Sequence, residues 1–272
     1  MNRYRATLTS LFAAVLFSLQ ASATTVTLDV GFESPAFNVG SVAGQGGWGI
    51  FSPSFPESIS TAQAHAGMQS LYTGMPDPYN QPPGSGATKA LDAANQGEYP
   101  FSSVTFPTGY ASDWWVQAWV RVESGGTGAR MMLNTWGWYL AISGTGTPIL
   151  ESAIPATPPT SLPNQGANVL DQWILLRMVH SASDDNCGIG VAGRCIDFSI
   201  LGDNVNVSYS RYYTASGPLS QYLVLSGDAY WDDVSAGTGL APSIVPLPAA
   251  GWLLASGLAT LLCQRRGRYR SL

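Results

Sequence analysis

The sequence predicts an all-β protein, and three observations support this prediction. Glycine and proline are abundant, at 30 and 18 of 272 residues, and only 11% of the residues are charged. Short apolar segments alternate with polar residues at a period of two, which is typical of strands with one buried face. A Gly-Asp-Asn turn at residues 202–204 separates two such segments, as in a β-hairpin. Many short strands joined by loops are therefore expected.

The N-terminal segment has the form of a secretory signal peptide. Arg3 and Arg5 precede an apolar stretch at residues 8–19, and residues 21–23 form a small-x-small cleavage site. We therefore expect residues 1–23 to be removed, so that the mature chain begins near Thr24. A buried amphipathic helix is the alternative.

The C-terminal segment, residues 241–272, has the form of a membrane anchor with a basic tail. Its apolar run, residues 249–263, is close to the minimum for a transmembrane helix, because crossing a bilayer takes about 20 residues. Four arginines and no acidic residue follow in residues 264–272, which predicts a cytoplasmic tail.

The motif before this apolar run adds a resemblance. The residues Val245, Pro246, Leu247, Pro248 and Ala249, with the apolar run and the arginine cluster, resemble the VPLPA variant of the PEP-CTERM sorting signal. The resemblance implies that exosortase, a membrane-embedded processing enzyme of Gram-negative bacteria that make exopolysaccharide, removes the tail. The chain would be anchored transiently in the inner membrane and then reach the cell surface or extracellular matrix. A permanent anchor is the alternative.

Residues 24–240 remain as one domain, which suits a single sandwich or barrel. The predicted strand segments are 114–123, 131–143, 173–181, 195–210 (a hairpin) and 222–237 (a final strand pair). The proline-rich stretches 75–90 and 143–170 are predicted to be surface loops.

Three short motifs in this domain resemble concanavalin A-like jelly-roll domains, a group that includes carbohydrate-binding modules and laminin G-like and MAM-like domains. They are GFESPAFNVGSVAGQGGW at 31–48, AHAGMQSLYTG at 64–74 and AYWDDVSAG at 229–237. The resemblance implies a two-sheet antiparallel jelly-roll sandwich in which the first and last strands lie side by side.

The charge of this domain excludes one class of partner. All 17 acidic residues and 6 of the 12 basic residues lie between 24 and 240, so the net charge of the segment is −11. Nucleic acid is therefore not expected as a ligand, because phosphates require lysine and arginine. Tight polyanion binding is also disfavoured, unless a local arginine cluster overrides the overall charge.

Cys187 and Cys195 are expected to form a disulfide, because an exported chain meets an oxidising compartment and three glycines lie between them. Metal binding is the weaker alternative, since no second cysteine pair or nearby histidine completes a site.

Candidate catalytic motifs are weak. Gly44, Gly46 and Gly49 match G-x-G-x-x-G, but prolines follow and no strand–helix unit does, so a glycine-rich turn is expected. The paired carboxylates of a glycosidase are not evident. Asp232 and Asp233 are adjacent and would point to opposite faces of a strand. His65 is expected to be a surface residue.

A structural Ca²⁺ is a further hypothesis. Glu33 near the first strand and Asp232 or Asp233 on the last would be neighbours in a jelly roll, and the resemblance implies a calcium site there. Solvated or hydrogen-bonded acids are the alternative. No organic cofactor is expected.

Carbohydrate binding is predicted from one strand face that mixes indole, amide and guanidinium groups. The candidate residues are Trp115, Gln117, Trp119, Arg121, Trp136 and Arg177. Trp138 and Trp173 would extend this face. A second core face is the alternative, because tryptophan is usually buried.

The sequence therefore predicts an exported protein that binds or organises extracellular polysaccharide, for example in a biofilm matrix, without cleaving it. A polysaccharide lyase or glycoside hydrolase and a purely structural matrix protein are the alternatives.

Overall fold

The computed structural model describes residues 24–50, 57–74, 87–90, 113–133, 138–152, 160–161, 168–185, 187–188, 190, 195–212 and 222–242. The predicted signal peptide, the VPLPA motif and the apolar run after it lie outside these ranges. Within them, no helix is long and apolar enough to cross a membrane.

The described part of the chain contains fifteen β-strands and one short 3-10 turn, Gln45–Gly47. The strands are β1 (Thr25–Val30), β2 (Gly40–Ser41), β3 (Trp48–Ile50), β4 (Glu57–Ser60), β5 (Ser70–Gly74), β6 (Ala87–Ala90), β7 (Trp114–Arg121), β8 (Gly128–Leu133), β9 (Trp138–Ser143), β10 (Pro148–Ser152), β11 (Thr160–Ser161), β12 (Trp173–His180), β13 (Cys195–Gly202), β14 (Val205–Tyr212) and β15 (Tyr222–Thr238).

The strands form one large antiparallel sheet, which confirms the prediction of an all-β antiparallel fold. Its main order is β11-β10-β9-β8-β15-β7-β12-β13-β14, and β1, β5 and β6 also pair with β15. The pairing of β1 with β15 confirms that the first and last strands are neighbours.

Strand β15 connects the two halves of this sheet. Its first part pairs with β8 and β6, and its second part pairs with β7, β5 and β1. Gly128 and Gly227 lie where β7 gives way to β8 along β15, with φ of 112° and 110°. A Cβ atom on Gly227 would collide with the carbonyl oxygen of Gly128, so glycine is required at this close approach.

One hydrophobic core occupies the inner side of both halves. It includes Trp114, Leu140, Leu150, Phe198 and Trp231, each at most 1% exposed. Because strands near both ends of the main order contribute to the same core, the sheet folds over on itself, as a layered β-domain must to bury its apolar face.

Several strand boundaries differ from the predicted ones. Residues 222–238 form one long strand instead of a pair, and residues 131–143 contribute two strands, β8 and β9. The predicted loop 75–90 ends in strand β6, and the predicted loop 143–170 contains strands β10 and β11. Pro148 begins its strand, a position where proline is tolerated, and this explains the second error.

The predicted disulfide between Cys187 and Cys195 is confirmed. Cys195 begins β13, and Cys187 lies in the connection from β12, so the bond closes the link between two neighbouring strands. The Gly-Asp-Asn hairpin is also confirmed, because Gly202 of β13 pairs with Val205 of β14 across a two-residue turn.

Candidate functional site

The candidate site is the outer face of strands β5, β15, β7, β12, β13 and β14. Along β7, Val116, Ala118 and Val120 are buried in the core, whereas Gln117, Trp119 and Arg121 are half-buried on the opposite side. This alternation follows from the two-residue period of a strand and confirms the predicted assignment of faces.

Cross-strand pairing arranges the outer side chains in three rows. The rows are Tyr72, Tyr230, Arg121 and Trp173; then Asp232, Trp119, Leu175 and Leu201; then Ser235, Gln117, Arg177, Ser199 and Ser208. We call these three rows the polar face.

An aromatic cluster lies at the middle of the polar face. The imidazole of His65 stacks on the indole of Trp119, with ring centroids 4.0 Å apart and planes 14° apart. The ring of Trp173 meets the same imidazole edge-on at 5.6 Å. All three side chains are half-buried, so their rings combine packing with access to solvent.

His65 reaches the polar face because its backbone is held by a buried carboxylate. Oδ2 of Asp232 accepts hydrogen bonds from the backbone N–H groups of His65 and Ala66, at 2.8 and 3.1 Å. Asp232 is fully buried. Burial raises its pKa to about 6, although the hydrogen bonds from Ala66, Asp233 and His65 act in the opposite direction.

A β-bulge brings the neighbouring carboxylate to the same residue. The register of β15 shifts between Asp232 and Ser235, and Asp233 has a φ of 44°. As a result, Oδ2 of Asp233 lies 2.6 Å from Nδ1 of His65. The expectation that Asp232 and Asp233 point to opposite faces is therefore wrong, because it assumed a regular strand.

Glu33 holds the other end of the loop that carries His65. Its Oε1 accepts hydrogen bonds from the N–H groups of Met68 and Gln69, at 2.8 and 2.9 Å. Gly67 has a φ of 70°, and a Cβ there would collide with this oxygen. Glycine therefore avoids both the backbone strain of this φ and a displacement of the Glu33 carboxylate. We call residues 61–69 the His65 loop.

Two of the three acids of the calcium hypothesis have carboxylate oxygens near Gly31, because a Cβ there would lie 3.5 Å from Oδ1 of Asp233 and 3.9 Å from Oδ1 of Asp232, whereas for Glu33 the near atom is Cγ. However, oxygens of all three are engaged by hydrogen-bond donors. No group of three or more His, Cys, Asp or Glu side chains in the described ranges is arranged to hold a metal ion. The calcium site therefore stays a prediction.

A tyrosine pair lies at one end of the polar face. The hydroxyl of Tyr72 donates to Oδ1 of Asp228 at 2.7 Å, and the rings of Tyr72 and Tyr230 lie 5.0 Å apart. Burial raises the pKa of both phenols, and for Tyr72 the hydrogen bond to Asp228 raises it further. Both hydroxyls are therefore protonated near neutral pH and act as hydrogen-bonding groups.

Charged and amide groups surround this pair. Nε of Arg121 lies 3.8 Å from Oε1 of Glu123, and Nε2 of Gln63 donates to the same oxygen at 2.9 Å. Arg121 also donates from Nη1 to the carbonyl oxygen of Asp171. This end of the face therefore presents a network of polar groups beside two aromatic rings.

The predicted carbohydrate-binding residues differ in how far their side chains are exposed on the polar face. Gln117, Trp119 and Arg121 are half-buried on the polar face, and Arg177 lies beside them at 7% exposure. Trp115 is on the same side of β7 but is only 1% exposed, because its indole packs against the backbone at Gly237. Trp115 therefore cannot present its ring to a ligand, and its predicted role is wrong.

The extension of the face also differs in part. Trp173 extends it as predicted. Trp136 lies outside the described residues, and Trp138 lies in β9, which pairs with β8 and β10 and not with β7 or β12. Strand β9 therefore does not extend the polar face.

Sequence reasoning missed three members of the site. Tyr72 and Tyr230 could have been found from the alternation in β5 and β15, where buried and half-buried residues follow one another. His65 was expected at the surface, and no local pattern indicates its contact with Trp119, which lies 54 positions further along the chain.

No family model and no curated protein matches the chain. Among solved structures, it resembles the CBM22-1 xylan-binding domain of Paenibacillus barcinonensis Xyn10C, with 15% identity, coverage of 82% of this chain and 99% of that one, and a TM-score of 0.35. It also resembles the endo-β-1,4-glucuronan lyase of the fungus Trichoderma reesei (10% identity, 79% and 96% coverage, TM-score 0.44). A third is the binding domain of Paraclostridial Mosquitocidal Protein 1 (9% identity, 80% and 49% coverage, TM-score 0.46). Likeness at this level assigns no function, so the function is argued from the polar face.

Proposed function

We propose that this domain binds polysaccharide along the polar face and does not cleave it. The observation that carries the proposal is the half-exposed aromatic cluster of Trp119, His65 and Trp173, with the amide of Gln117 and the guanidinium of Arg121 beside it. Pyranose rings pack their C–H faces on aromatic rings, and a few fixed polar groups then recognise the hydroxyls.

The geometry of the face suits an extended chain better than a small molecule. The longest row crosses five strands, and neighbouring strands lie about 4.8 Å apart, so the face is long enough for several sugar residues. Hydroxyls continue along its far side, where Ser199 and Ser208 approach each other at 3.3 Å. Such a row of hydroxyls can exchange hydrogen bonds with a glycan.

The carboxylates near the face are poorly suited to hydrolysis. A glycosidase needs one free acid and one free base flanking the scissile bond. Asp232 accepts hydrogen bonds from three backbone N–H groups, and Asp228 accepts one from Tyr72. These acids position the loop and the tyrosine, which favours binding over cleavage.

One observation favours a second candidate, a polysaccharide lyase. Asp233 holds Nδ1 of His65, and a histidine oriented by a carboxylate can act as a general base. In a lyase, the base would take the proton at C5 of a uronate, the C4–O bond would break, and a C4=C5 double bond would form. The released oxygen would then be protonated. Such a product absorbs in the ultraviolet, so the two candidates are easily distinguished.

We further propose that the chain is exported and sorted to the cell surface or matrix through its VPLPA-type tail. The support is the sequence of the two ends of the chain. A glycan-binding domain and a matrix destination are consistent with each other, since exopolysaccharide is abundant there. A purely structural matrix protein would share the destination but would bind no glycan.

Binding of the purified protein to a panel of neutral and acidic polysaccharides tests the proposal, with ultraviolet absorbance followed in the same samples. We expect saturable binding that falls by about fivefold to a hundredfold in Trp119→Ala, if a sugar ring stacked on one aromatic side chain contributes about as much as a stacked nucleobase, about 1–3 kcal/mol. Tyr209→Ala, on the core-facing side of β14, is the control for lost stability. Binding to no glycan would contradict the proposal, and rising absorbance would establish the lyase.

A further inference from the structure

Arg177 is a buried guanidinium on the polar face. It lies in the third row, between Gln117 of β7 and Ser199 of β13. Its side chain is only 7% exposed. Within the described ranges, its buried Nε has no hydrogen-bond acceptor, and no carboxylate lies within ion-pair distance of it.

The acids on neighbouring strands are engaged elsewhere. Asp197, two positions from Ser199 on β13, accepts a hydrogen bond from the hydroxyl of Ser210. Asp232 is occupied by backbone N–H groups. Arg121, the other arginine of the face, differs from Arg177 because it meets Glu123 and the carbonyl oxygen of Asp171.

Such an arrangement is unfavourable for the domain alone. Burial lowers the pKa of Arg177, which reflects the free energy lost when a charged group leaves water. A buried charge is normally paired, and an apolar side chain of similar size would be more stable here. A planar guanidinium does, however, match an oxyanion with two parallel hydrogen bonds.

We propose that Arg177 is the anion-recognition point of the polar face, and that the polysaccharide bound there is acidic, carrying a carboxylate or sulfate group that pairs with this guanidinium. This inference rests on the proposed glycan-binding function and names its substrate class. The net charge of −11 on residues 24–240 gives no long-range attraction for a polyanion, so selection of the acidic glycan depends on this single point.

The test compares glycans that share a backbone and differ in charge. Polygalacturonate and its methyl ester form one pair, and dextran sulfate and dextran form the other. The variants are Arg177→Met, which keeps the length and removes the charge, and Arg177→Lys, which keeps the charge and loses the bidentate geometry. Arg130→Met, a buried arginine of β8 outside the polar face, is the matched control.

We expect the wild type to bind the acidic member of one pair more tightly than its neutral partner. Arg177→Met should weaken acidic binding by about tenfold to a hundredfold, as for a lost charge-assisted hydrogen bond, and should leave neutral binding unchanged. Arg177→Lys should lie between. The melting temperature of Arg177→Met should not fall, because the substitution removes an unpaired buried charge.

Three results would overturn the inference. If the wild type binds the charged and the neutral polymer of each pair equally well, the acidic-glycan inference is wrong, but the proposed glycan binding is not contradicted. Unchanged selectivity in Arg177→Met, or in Arg177→Lys if the methionine variant does not fold, would also overturn the inference. Binding to none of the four polymers would remove both this inference and the proposed function. A preference within the polygalacturonate pair would identify a carboxylated ligand, and a preference within the dextran pair would identify a sulfated one.

Discussion

The buried carboxyl of Glu57 makes the stability of this domain depend on pH in a direction that can be worked out. Glu57 begins β4 and is only 3% exposed. Neither of its carboxylate oxygens has a hydrogen-bond partner within the described residues. Burial raises its pKa from 4.5 to about 7, and this effect outweighs that of its own backbone amide, which lowers the pKa.

A raised pKa means that the folded state holds a proton that the unfolded state has already released. Between pH 4.5 and 7 the folded state therefore binds more protons, and the free energy of unfolding falls as the pH rises. At about 1.4 kcal/mol per pKa unit, the loss reaches about 3 kcal/mol above pH 7. Well below pH 4.5 both states are protonated and this contribution is constant.

Glu57→Gln keeps the shape of the side chain and cannot ionise. We expect the variant to match the wild type within about 1 kcal/mol at pH 4.5 and to be more stable by about 3 kcal/mol at pH 8. Urea denaturation followed by tryptophan fluorescence at a series of pH values measures the difference. Asp29→Asn, which removes an exposed carboxylate from β1, is the control.

Other titrating groups, Asp232 among them, are present in both proteins and cancel in this comparison. A difference between Glu57→Gln and the wild type that stays constant from pH 4.5 to 8 would refute the reasoning. It would mean that Glu57 has a partner or is hydrated in solution.

Two further predictions concern the His65 loop. Gly67→Ala should lower stability more than Gly188→Ala, by about 1–3 kcal/mol, because the two glycines have φ of 70° and 67° but only at Gly67 does a Cβ meet Glu33. Equal losses in chemical denaturation would show that Glu33 does not hold the loop. The calcium prediction implies a melting temperature that is higher in CaCl₂ than in EDTA, and Asp233→Asn should abolish the difference. An equal melting temperature of the wild type in CaCl₂ and in EDTA would contradict the calcium prediction.

The parts of the fold that local patterns specify could be predicted from the sequence. The two-residue period of β7 assigns Val116 to the core and Trp119 to the outer face, and the Gly-Asp-Asn turn sets the β13–β14 hairpin. The disulfide could be predicted from two cysteines that lie close together in one glycine-rich segment of a chain that we expect to be exported. Each of these inferences depends on residues that lie close together in the sequence.

The parts that depend on distant contacts could not be predicted. The bulge at Asp233 occurs in a sequence that reads as a regular strand, and only its positive φ turns both carboxylates toward the His65 loop. Trp115 and Trp119 have the same position in the alternating pattern. Trp115 is nevertheless buried against Gly237, whereas Trp119 meets His65, because different segments cover the two ends of one face.

The central claim, that the polar face is the glycan site, is tested most directly by a crystal structure with bound oligosaccharide. Oligomers of the polysaccharide that binds most tightly would be used for co-crystallisation with the wild type. The account predicts sugar rings packed on the Trp119–His65–Trp173 cluster, with an acidic substituent at the guanidinium of Arg177. Sugar bound at any other surface, with these four side chains untouched, would contradict it.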